Sequence, residues 1–278
     1  MIAVVDYHKG NLMSVERGIE AAGGVAVITD KADDIARADG IVLPGVGAFA
    51  DASATMCALG QLEVVRERIA AGVPFLGICL GMHLLFEEGV EGAPDEDDEA
   101  STHNARGLAV LPGVVVRMPK VAADGTAFKV PHVGWNTVAP PAESAGAAGA
   151  DTPVLKQSWA RTDRPLDDPA RAELRAGAPA PADSELNAAS SGASMNALEK
   201  KRFDCPLFEG IPVGEYFYFT HSYIAPTGPF VVGETAHSVA FPSAVQYGEA
   251  CFGVQFHPEK SSDAGAAVLR NFVKIVKG

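Results

Sequence analysis

Short apolar runs alternate with amphipathic helical segments in the first third of this chain, and this alternation constrains the fold more than any other feature. The predicted strands are Ile2–Val5, Val25–Asp30, Ile41–Leu43 and Phe75–Ile78, and the predicted helices are Asn11–Ala22, Asp51–Ala71 and Leu80–Glu88. Strands separated by helices of this length are typical of βαβ units and a parallel sheet. The sequence therefore predicts an α/β protein.

The pattern changes after Arg106, where apolar runs are joined by turns instead of helices. The predicted strands there are Val114–Met118, Tyr216–Thr220, Val231–Glu234, Ala244–Tyr247 and Cys251–Phe256. Part of the sheet is thus expected to be mixed or antiparallel. The chain is predicted to close with a helix over Ser261–Val276, whose apolar residues recur at helical spacing.

The segment 139–205 differs in composition from the rest of the chain. It is rich in Ala, Pro, Ser and Gly and lacks strand periodicity. Such composition is typical of flexible segments that do not build a packed core. We expect a single domain over residues 1–278 that is interrupted by one long, disordered, low-complexity insertion at 139–205, lying passively at the surface.

Charge and hydropathy exclude several classes of function. The chain has 22 Lys and Arg against 35 Asp and Glu, a net charge of −13, which argues against a nucleic-acid-binding surface. Apolar runs are too short to span a membrane, and the N-terminus lacks the basic region of a signal peptide. Cys57, Cys205 and Cys251 show no ligand spacing and are expected to be reduced thiols of a cytoplasmic protein. The acidic run 92–102 is expected to be a solvated loop that binds no metal. No cofactor is expected for the chain.

The segment Gly77–Gly81 has the spacing of a nucleophile elbow, with Cys79 at its centre. A sharp turn from strand to helix projects such a side chain above the sheet, and the flanking glycines allow the close backbone approach. The helix N-terminus favours a thiolate, and the N–H of Leu80 is placed to bind an oxyanion. The alternative is a packing turn that contains a cysteine.

A second motif supplies the base that a cysteine nucleophile requires. His257 and Glu259 lie two residues apart at the end of a predicted strand. The carboxylate would orient the imidazole, which would exchange protons with Cys79. Taken without the elbow, the pair is more often a surface histidine beside a carboxylate at a helix start.

A third motif, Pro44-Gly45-Val46-Gly47, follows a strand and precedes a helix. Its glycines allow the Gly45–Val46 peptide to turn an N–H toward a neighbouring site, which would give a second oxyanion donor. A phosphate-binding loop is the rival interpretation, but the spacing matches neither common phosphate-binding motif.

These motifs resemble the class I, triad-type glutamine amidotransferases, and most closely the glutaminase subunits of imidazole glycerol phosphate synthase. Similar segments are VDYHKGNLMSV, IVLPGVGAF, GICLGMHLLFEEG, VPHVGWN, YFTHSY and GVQFHPEKS. The resemblance covers residues 1–138 and 206–278, and excludes the insertion. It implies a flavodoxin-like fold with a mostly parallel, mixed sheet flanked by helices.

The resemblance also implies residue roles. Cys79, His257 and Glu259 would form the catalytic triad for glutamine hydrolysis, and Gly45, Val46 and Leu80 the oxyanion hole. Six residues would bind L-glutamine: Gly47, His83, Glu91, His221, Ser222 and Tyr223. Ammonia would pass to a (β/α)₈-barrel cyclase subunit in a heterodimer, giving the complex lyase activity in histidine biosynthesis. Four residues would face this partner: Asn11, His132, Trp135 and Lys260.

Two positions depart from the family pattern. His83 stands where a glutamine that contacts the substrate is usual, and His8 stands where glycine is usual. Because imidazole cannot offer the paired donor and acceptor of an amide, we expect His83 to alter glutamine affinity and not to abolish the chemistry. Two other functions stay open: a stand-alone cysteine amidase or peptidase, and a binding subunit without turnover.

Overall fold

The structure is a computed structural model that describes residues 1–96, 98–141 and 202–278. Its helices are α1 (Leu12–Ala21), α2 (Ala32–Arg37), α3 (Phe49–Ala58), α4 (Gln61–Ala70), α5 (Leu80–His83) and α6 (Ser262–Lys277). Its strands are β1 (Ile2–Val5), β2 (Ala26–Thr29), β3 (Gly40–Gly45), β4 (Phe75–Cys79), β5 (Phe86–Gly89), β6 (Ala105–Arg106), β7 (Leu111–Arg117), β8 (His132–Thr137), β9 (Tyr216–His221), β10 (Tyr223–Ile224), β11 (Val231–Ala236), β12 (Ala240–Tyr247) and β13 (Cys251–Val254). None of the helices in these ranges is long and apolar enough to cross a membrane.

A seven-stranded sheet in the order β11-β12-β13-β4-β3-β1-β2 forms the centre of the fold. The strands from β13 to β2 run parallel, whereas β12 and β11 are antiparallel to their neighbours. This arrangement confirms the predicted α/β class with a mixed sheet. Strand β4 lies between β3 and β13, so the carboxyl ends of all three strands reach the same edge of the sheet.

The central strands are buried on both faces because helices cover the sheet. Every residue of β1, β3, β4 and β13 is buried, as is usual for parallel strands in α/β proteins. Helices α1 and α6 approach closely, and a Cβ at Gly18 would lie 2.6 Å from Leu269. The terminal helix was predicted correctly, and its buried face includes Val268, Leu269 and Phe272.

Two predicted helices were wrong in extent. The segment Asp51–Ala71 forms two helices, because the chain turns at Gly60, whose φ of 68° lies in the left-handed region. The predicted helix Leu80–Glu88 ends at His83, and β5 follows it. The residues from Leu84 to Phe86 are all buried, so periodicity did not distinguish strand from helix.

Two smaller sheets accompany the central one. Strands β10, β7, β5 and β6 form a four-stranded sheet, and β8 pairs with β9 as an antiparallel ribbon. The sequence did not predict β8, which contains a glycine and three polar residues and has exposed side chains at Val133 and Trp135. The ribbon brings His132 opposite His221.

Most of the predicted insertion lies outside the described residues, and its predicted disorder and domain boundaries stay predictions. The described residues at its two ends belong to the fold. Ala139 exchanges two backbone hydrogen bonds with Glu234. Phe203 stacks on Phe208 with ring centroids 4.4 Å apart, and Cys205 is buried.

Candidate active site

Cys79 ends β4 and occupies a strained backbone conformation. Its φ of 54° and ψ of −107° are unusual for a residue with a side chain. A Cβ at Gly81 would lie 1.8 Å from the carbonyl oxygen of Leu43, and one at Gly77 would lie 2.4 Å from the carbonyl oxygen of Gly81. Both glycines are therefore required by close backbone contact, which confirms the predicted strand-turn-helix geometry.

The sulfur of Cys79 lies between two polar groups. The thiol faces the carbonyl oxygen of Thr220 at 3.9 Å, and the side-chain amide Nε2 of Gln255 donates to Sγ at 3.6 Å. The residue is 7% exposed. Cys79 can thus donate as a thiol and accept as a thiolate.

His257 and Glu259 are joined by a buried hydrogen bond. Nδ1 of His257 lies 2.9 Å from Oε1 of Glu259, and the two side chains are 3% and 2% exposed. Burial lowers the pKa of His257, but Cys79 and Glu259 outweigh it and raise that pKa to about 9. Since Nδ1 faces Glu259, Nε2 is the nitrogen through which His257 can exchange a proton with Cys79. Among the described residues, none lies within hydrogen-bond distance of Nε2.

Backbone contacts hold the turn that carries His257. The backbone N–H of His257 donates to the carbonyl of Tyr218 at 2.9 Å. The hydroxyl of Ser261 donates to the carbonyl of His257 and accepts from the N–H of Tyr218. Ser261 is fully buried, so the imidazole is positioned by strand β9 as well as by its own turn.

The predicted oxyanion residues surround the elbow. Gly45 is the register partner of Cys79 in the parallel β3–β4 pair, and Leu80 is the first residue of α5. Val46 is 41% exposed at the end of β3. A Cβ at Gly45 would lie 2.3 Å from the hydroxyl of Tyr7 and 2.8 Å from Cβ of Leu80, so only glycine allows this approach.

The chain matches a known protein family over nearly its whole length. The profile described as "Glutamine amidotransferase class-I" matches residues 3–276. The chain belongs to this family. The amidotransferase is 37% identical to the imidazole glycerol phosphate synthase subunit HisH of Moorella thermoacetica, with 99% of this chain and 95% of the relative covered. It is 32% identical to the same-named subunit of Geobacillus thermodenitrificans, with 100% and 97% covered.

Solved structures show the same fold. One described as a glutamine amidotransferase superposes with a TM-score of 0.55 at 14% identity, covering 100% of this chain and 99% of the other. The structure of PurLQS from Thermotoga maritima gives a TM-score of 0.53 at 15% identity, covering 99% and 97%. The fold predicted from the motifs is thereby confirmed, and the protein is a glutamine amidotransferase by family.

Several of the predicted glutamine-binding residues of the amidotransferase lie close together. The imidazole Nδ1 of His221 donates to the carbonyl of Tyr223 at 2.9 Å. Burial raises the pKa of the Tyr223 hydroxyl, and the negative charges of Glu96 and Glu91 raise it further. Burial raises the pKa of Glu91 to about 7, although the backbone N–H of Phe49 opposes this rise. Glu91, which directly precedes the acidic run 92–102, is therefore not a simple solvated carboxylate.

Two other predicted glutamine-binding residues are held by the backbone. The carbonyl of Ser222 accepts from the N–H of Met118 at 2.8 Å. Gly47 follows β3 with a φ of 100°, a conformation that favours glycine. Their roles in glutamine binding stay predictions.

His83 lies in the interior of the amidotransferase. Its side chain is 3% exposed, and its Nε2 lies 2.6 Å from Oε1 of Gln255. Burial lowers the pKa of His83 to about 4, so the imidazole is neutral at physiological pH. Sequence reasoning did not single out Gln255. The available signal was its place two residues before His257, because alternate residues of a strand share a face.

The four predicted partner-facing residues differ in exposure. Trp135 is 53% exposed and packs its ring edge against Tyr218, and Lys260 is exposed at the end of a 3₁₀ turn. Asn11 precedes α1 and accepts a hydrogen bond from Ser14 through Oδ1. His132 is only 5% exposed, so this residue lies behind the surface and not on it.

Proposed function

We propose that Cys79, His257 and Glu259 are the catalytic triad with which this amidotransferase hydrolyses glutamine to glutamate and ammonia. The observation that supports this most strongly is the buried hydrogen bond between Nδ1 of His257 and Glu259. It fixes the tautomer in which Nε2 exchanges protons with the sulfur. Because the pKa of His257 is raised to about 9, its imidazolium is available at neutral pH to protonate the departing nitrogen.

The reaction proceeds in two halves. The Cys79 thiolate attacks the side-chain amide carbon, and the negative oxygen that forms is stabilised by the N–H of Leu80 and by the Gly45–Val46 peptide. The His257 imidazolium gives its Nε2 proton to the departing nitrogen, which releases ammonia and leaves a glutamyl thioester. Neutral His257 then takes a proton from water, the hydroxide attacks the thioester, and glutamate leaves as the thiol is restored.

The proposal extends to the metabolic role. We infer that this chain is the glutaminase subunit of an imidazole glycerol phosphate synthase in histidine biosynthesis, because relatives of that name align over its full length. The ammonia would pass to a (β/α)₈-barrel cyclase subunit, which forms imidazole glycerol phosphate and aminoimidazole carboxamide ribotide in the cytoplasm. Exposed Trp135 and Lys260 are suited to contact with that subunit.

The test is glutamate release from glutamine by this chain, with and without a barrel cyclase subunit and its nucleotide ligand. We expect glutamate in the presence of the partner, little in its absence, and none with Cys79→Ala. The exposed thiol at Cys57 provides the matched control, because Cys57→Ala should retain activity. Equal activity without the partner would favour a stand-alone amidase. No activity in a complex that demonstrably forms would favour a binding subunit without turnover.

A further inference from the structure

The buried side chains of His83 and Gln255 form a hydrogen-bonded chain that ends at the sulfur of Cys79. Gln255 is fully buried, and its carboxamide bridges His83 at 2.6 Å and the sulfur of Cys79 at 3.6 Å. The backbone N–H of Gln255 donates to the carbonyl of Ser243 at 2.9 Å, which fixes the main chain at this point. Both ends of the carboxamide are therefore used, and neither faces solvent.

We propose that Gln255 is a positioning residue for Cys79, with His83 setting the orientation of its carboxamide so that an N–H points at the sulfur. This proposal deepens the proposed function and rests on the role given there to Cys79. An amide has one accepting end and one donating end. When Nε2–H of His83 donates to Oε1, the NH₂ group of Gln255 must face Sγ.

The orientation matters because the thiol and the thiolate have opposite requirements. A thiolate is stabilised by a donor and repelled by the lone pairs of a carbonyl oxygen. If the carboxamide were reversed, Oε1 of Gln255 would face the sulfur, and its NH₂ group would face the N–H of His83. The tautomer of His83 therefore selects the carboxamide orientation that favours the thiolate.

The same geometry gives a reason for a histidine at position 83. Its imidazole is neutral, because burial lowers the pKa to about 4, so it donates one hydrogen bond without placing a charge near the triad. The His83 side chain acts through Gln255, with which it shares a hydrogen bond. A substitution that keeps a donor at this position should preserve the orientation, and one that removes the donor should not.

The groups that influence Cys79 come from several elements. His257 with Glu259 follows β13, Tyr7 follows β1, and the carbonyl of Thr220 comes from β9. Of these, His257 supplies positive charge, whereas Gln255 supplies an uncharged donor. Removal of Gln255 should hence shift the titration of the thiol without removing its main counter-charge.

The experiment is the pH dependence of Cys79 alkylation by iodoacetamide in the full chain, followed by mass spectrometry of the peptide that contains Cys79. It requires neither glutamine nor a partner. For Gln255→Met we expect the midpoint pH to rise by about one unit, the amount that corresponds to loss of one hydrogen bond to a charged sulfur. Gln255→Glu, which keeps an acceptor for His83 but adds a negative charge, should raise it further.

Variants at His83 test whether this residue sets the orientation of the Gln255 carboxamide. His83→Leu removes the donor and should raise the midpoint, whereas His83→Gln retains a donor and should leave it near that of the parent. Gln246→Glu on β12 is the matched control, since that side chain bonds to the carbonyl of Gly248 at the surface end of its strand. Cys57, which is exposed, serves as the internal alkylation standard in every sample.

Three results separate positioning from packing and from the proposed function. A midpoint for Gln255→Met within about 0.2 unit of the parent, in a protein that unfolds cooperatively, would overturn the proposal. In the complex, we expect kcat to fall about tenfold in this variant with KM for glutamine changed by less than about twofold. A shifted midpoint in a chain that never releases glutamate would count against the proposed function alone.

Discussion

Nδ1 of His132 lies 3.0 Å from Nε2 of His221 across the β8–β9 ribbon, with both side chains buried. His221 donates through Nδ1 to the carbonyl of Tyr223, so its Nε2 must be an acceptor when the ring is neutral. His132 then donates through Nδ1, and its own Nε2 accepts from the amide of Asn136 at 3.3 Å. This chain of hydrogen bonds connects the exposed ribbon to the residues predicted to bind glutamine.

Replacing His132 with Phe should destabilise the protein by about 1–3 kcal/mol, because Nε2 of His221 would lose its donor inside the fold. The new ring retains stacking with Phe219, whose centroid lies 5.1 Å from that of His132, so packing changes little. Urea unfolding of the two proteins measures the difference. The control is His103→Phe at an exposed position. Equal unfolding free energies for His132→Phe and the parent would contradict the hydrogen-bond chain.

Glu259→Gln should reduce glutaminase kcat by about 10²–10⁴-fold, as expected when the partner that fixes a catalytic histidine tautomer is changed. The side-chain amide introduced at position 259 can donate a hydrogen bond to Nδ1 of His257. The imidazole proton would then lie on Nε2, and Nε2 could no longer accept a proton. KM for glutamine should change little, because Glu259 is buried behind His257. Steady-state kinetics of the complex test this, with exposed Glu209→Gln as the control. A kcat within about tenfold of the parent would argue against the orienting role.

The local geometry of the candidate site was predictable because its residues lie in short, contiguous motifs. The spacing of Gly77, Cys79 and Gly81 reflects a steric requirement of one turn, and the close contacts of both glycines confirm it. The two-residue separation of His257 and Glu259 likewise permits their hydrogen bond within one turn. Local sequence contains the information for local geometry.

The contacts that the sequence did not predict are long-range. Gln255 and His83 are 172 residues apart, and no local pattern indicates that a neutral imidazole will be placed against that amide. Strand β5 was missed for a related reason. Its partners β6 and β7 follow it in the chain. The strand itself has one large apolar residue, Phe86, followed by two glutamates, so pairing with these partners sets its conformation and local periodicity does not.

Stability should fall as the pH is lowered below about 6.5, because three buried histidines resist protonation in the folded state. Burial lowers the pKa of His83 and of His132 to about 4 and that of His221 to about 3. At these three histidines, the unfolded chain binds protons from about pH 6.5 downward, whereas the folded chain does not until near pH 4. The unfolded state therefore binds more protons in this window, and the folded state loses stability there.

The loss of folding stability at low pH can be assigned to individual histidines. A shift from 6.5 to about 4 in the pKa of His83 corresponds to about 3 kcal/mol. The unfolding free energy, measured with urea between pH 4.5 and 7.5, should depend less steeply on pH for His83→Gln than for the parent. Parallel curves for His83→Gln and the parent would show that His83 is not the group responsible.

Gly81→Ala should destabilise the protein by at least about 3 kcal/mol, at the upper end of the cost of overpacking. The new Cβ would lie 1.8 Å from the carbonyl oxygen of Leu43, and backbone on both sides must shift to accommodate it. Gly72→Ala is the matched control, since its φ of 81° is strained for alanine but nothing lies within 4 Å of the new Cβ. This second substitution should cost about 1 kcal/mol. If urea unfolding gave equal losses for the two variants, close contact at the elbow would not be what requires glycine at position 81.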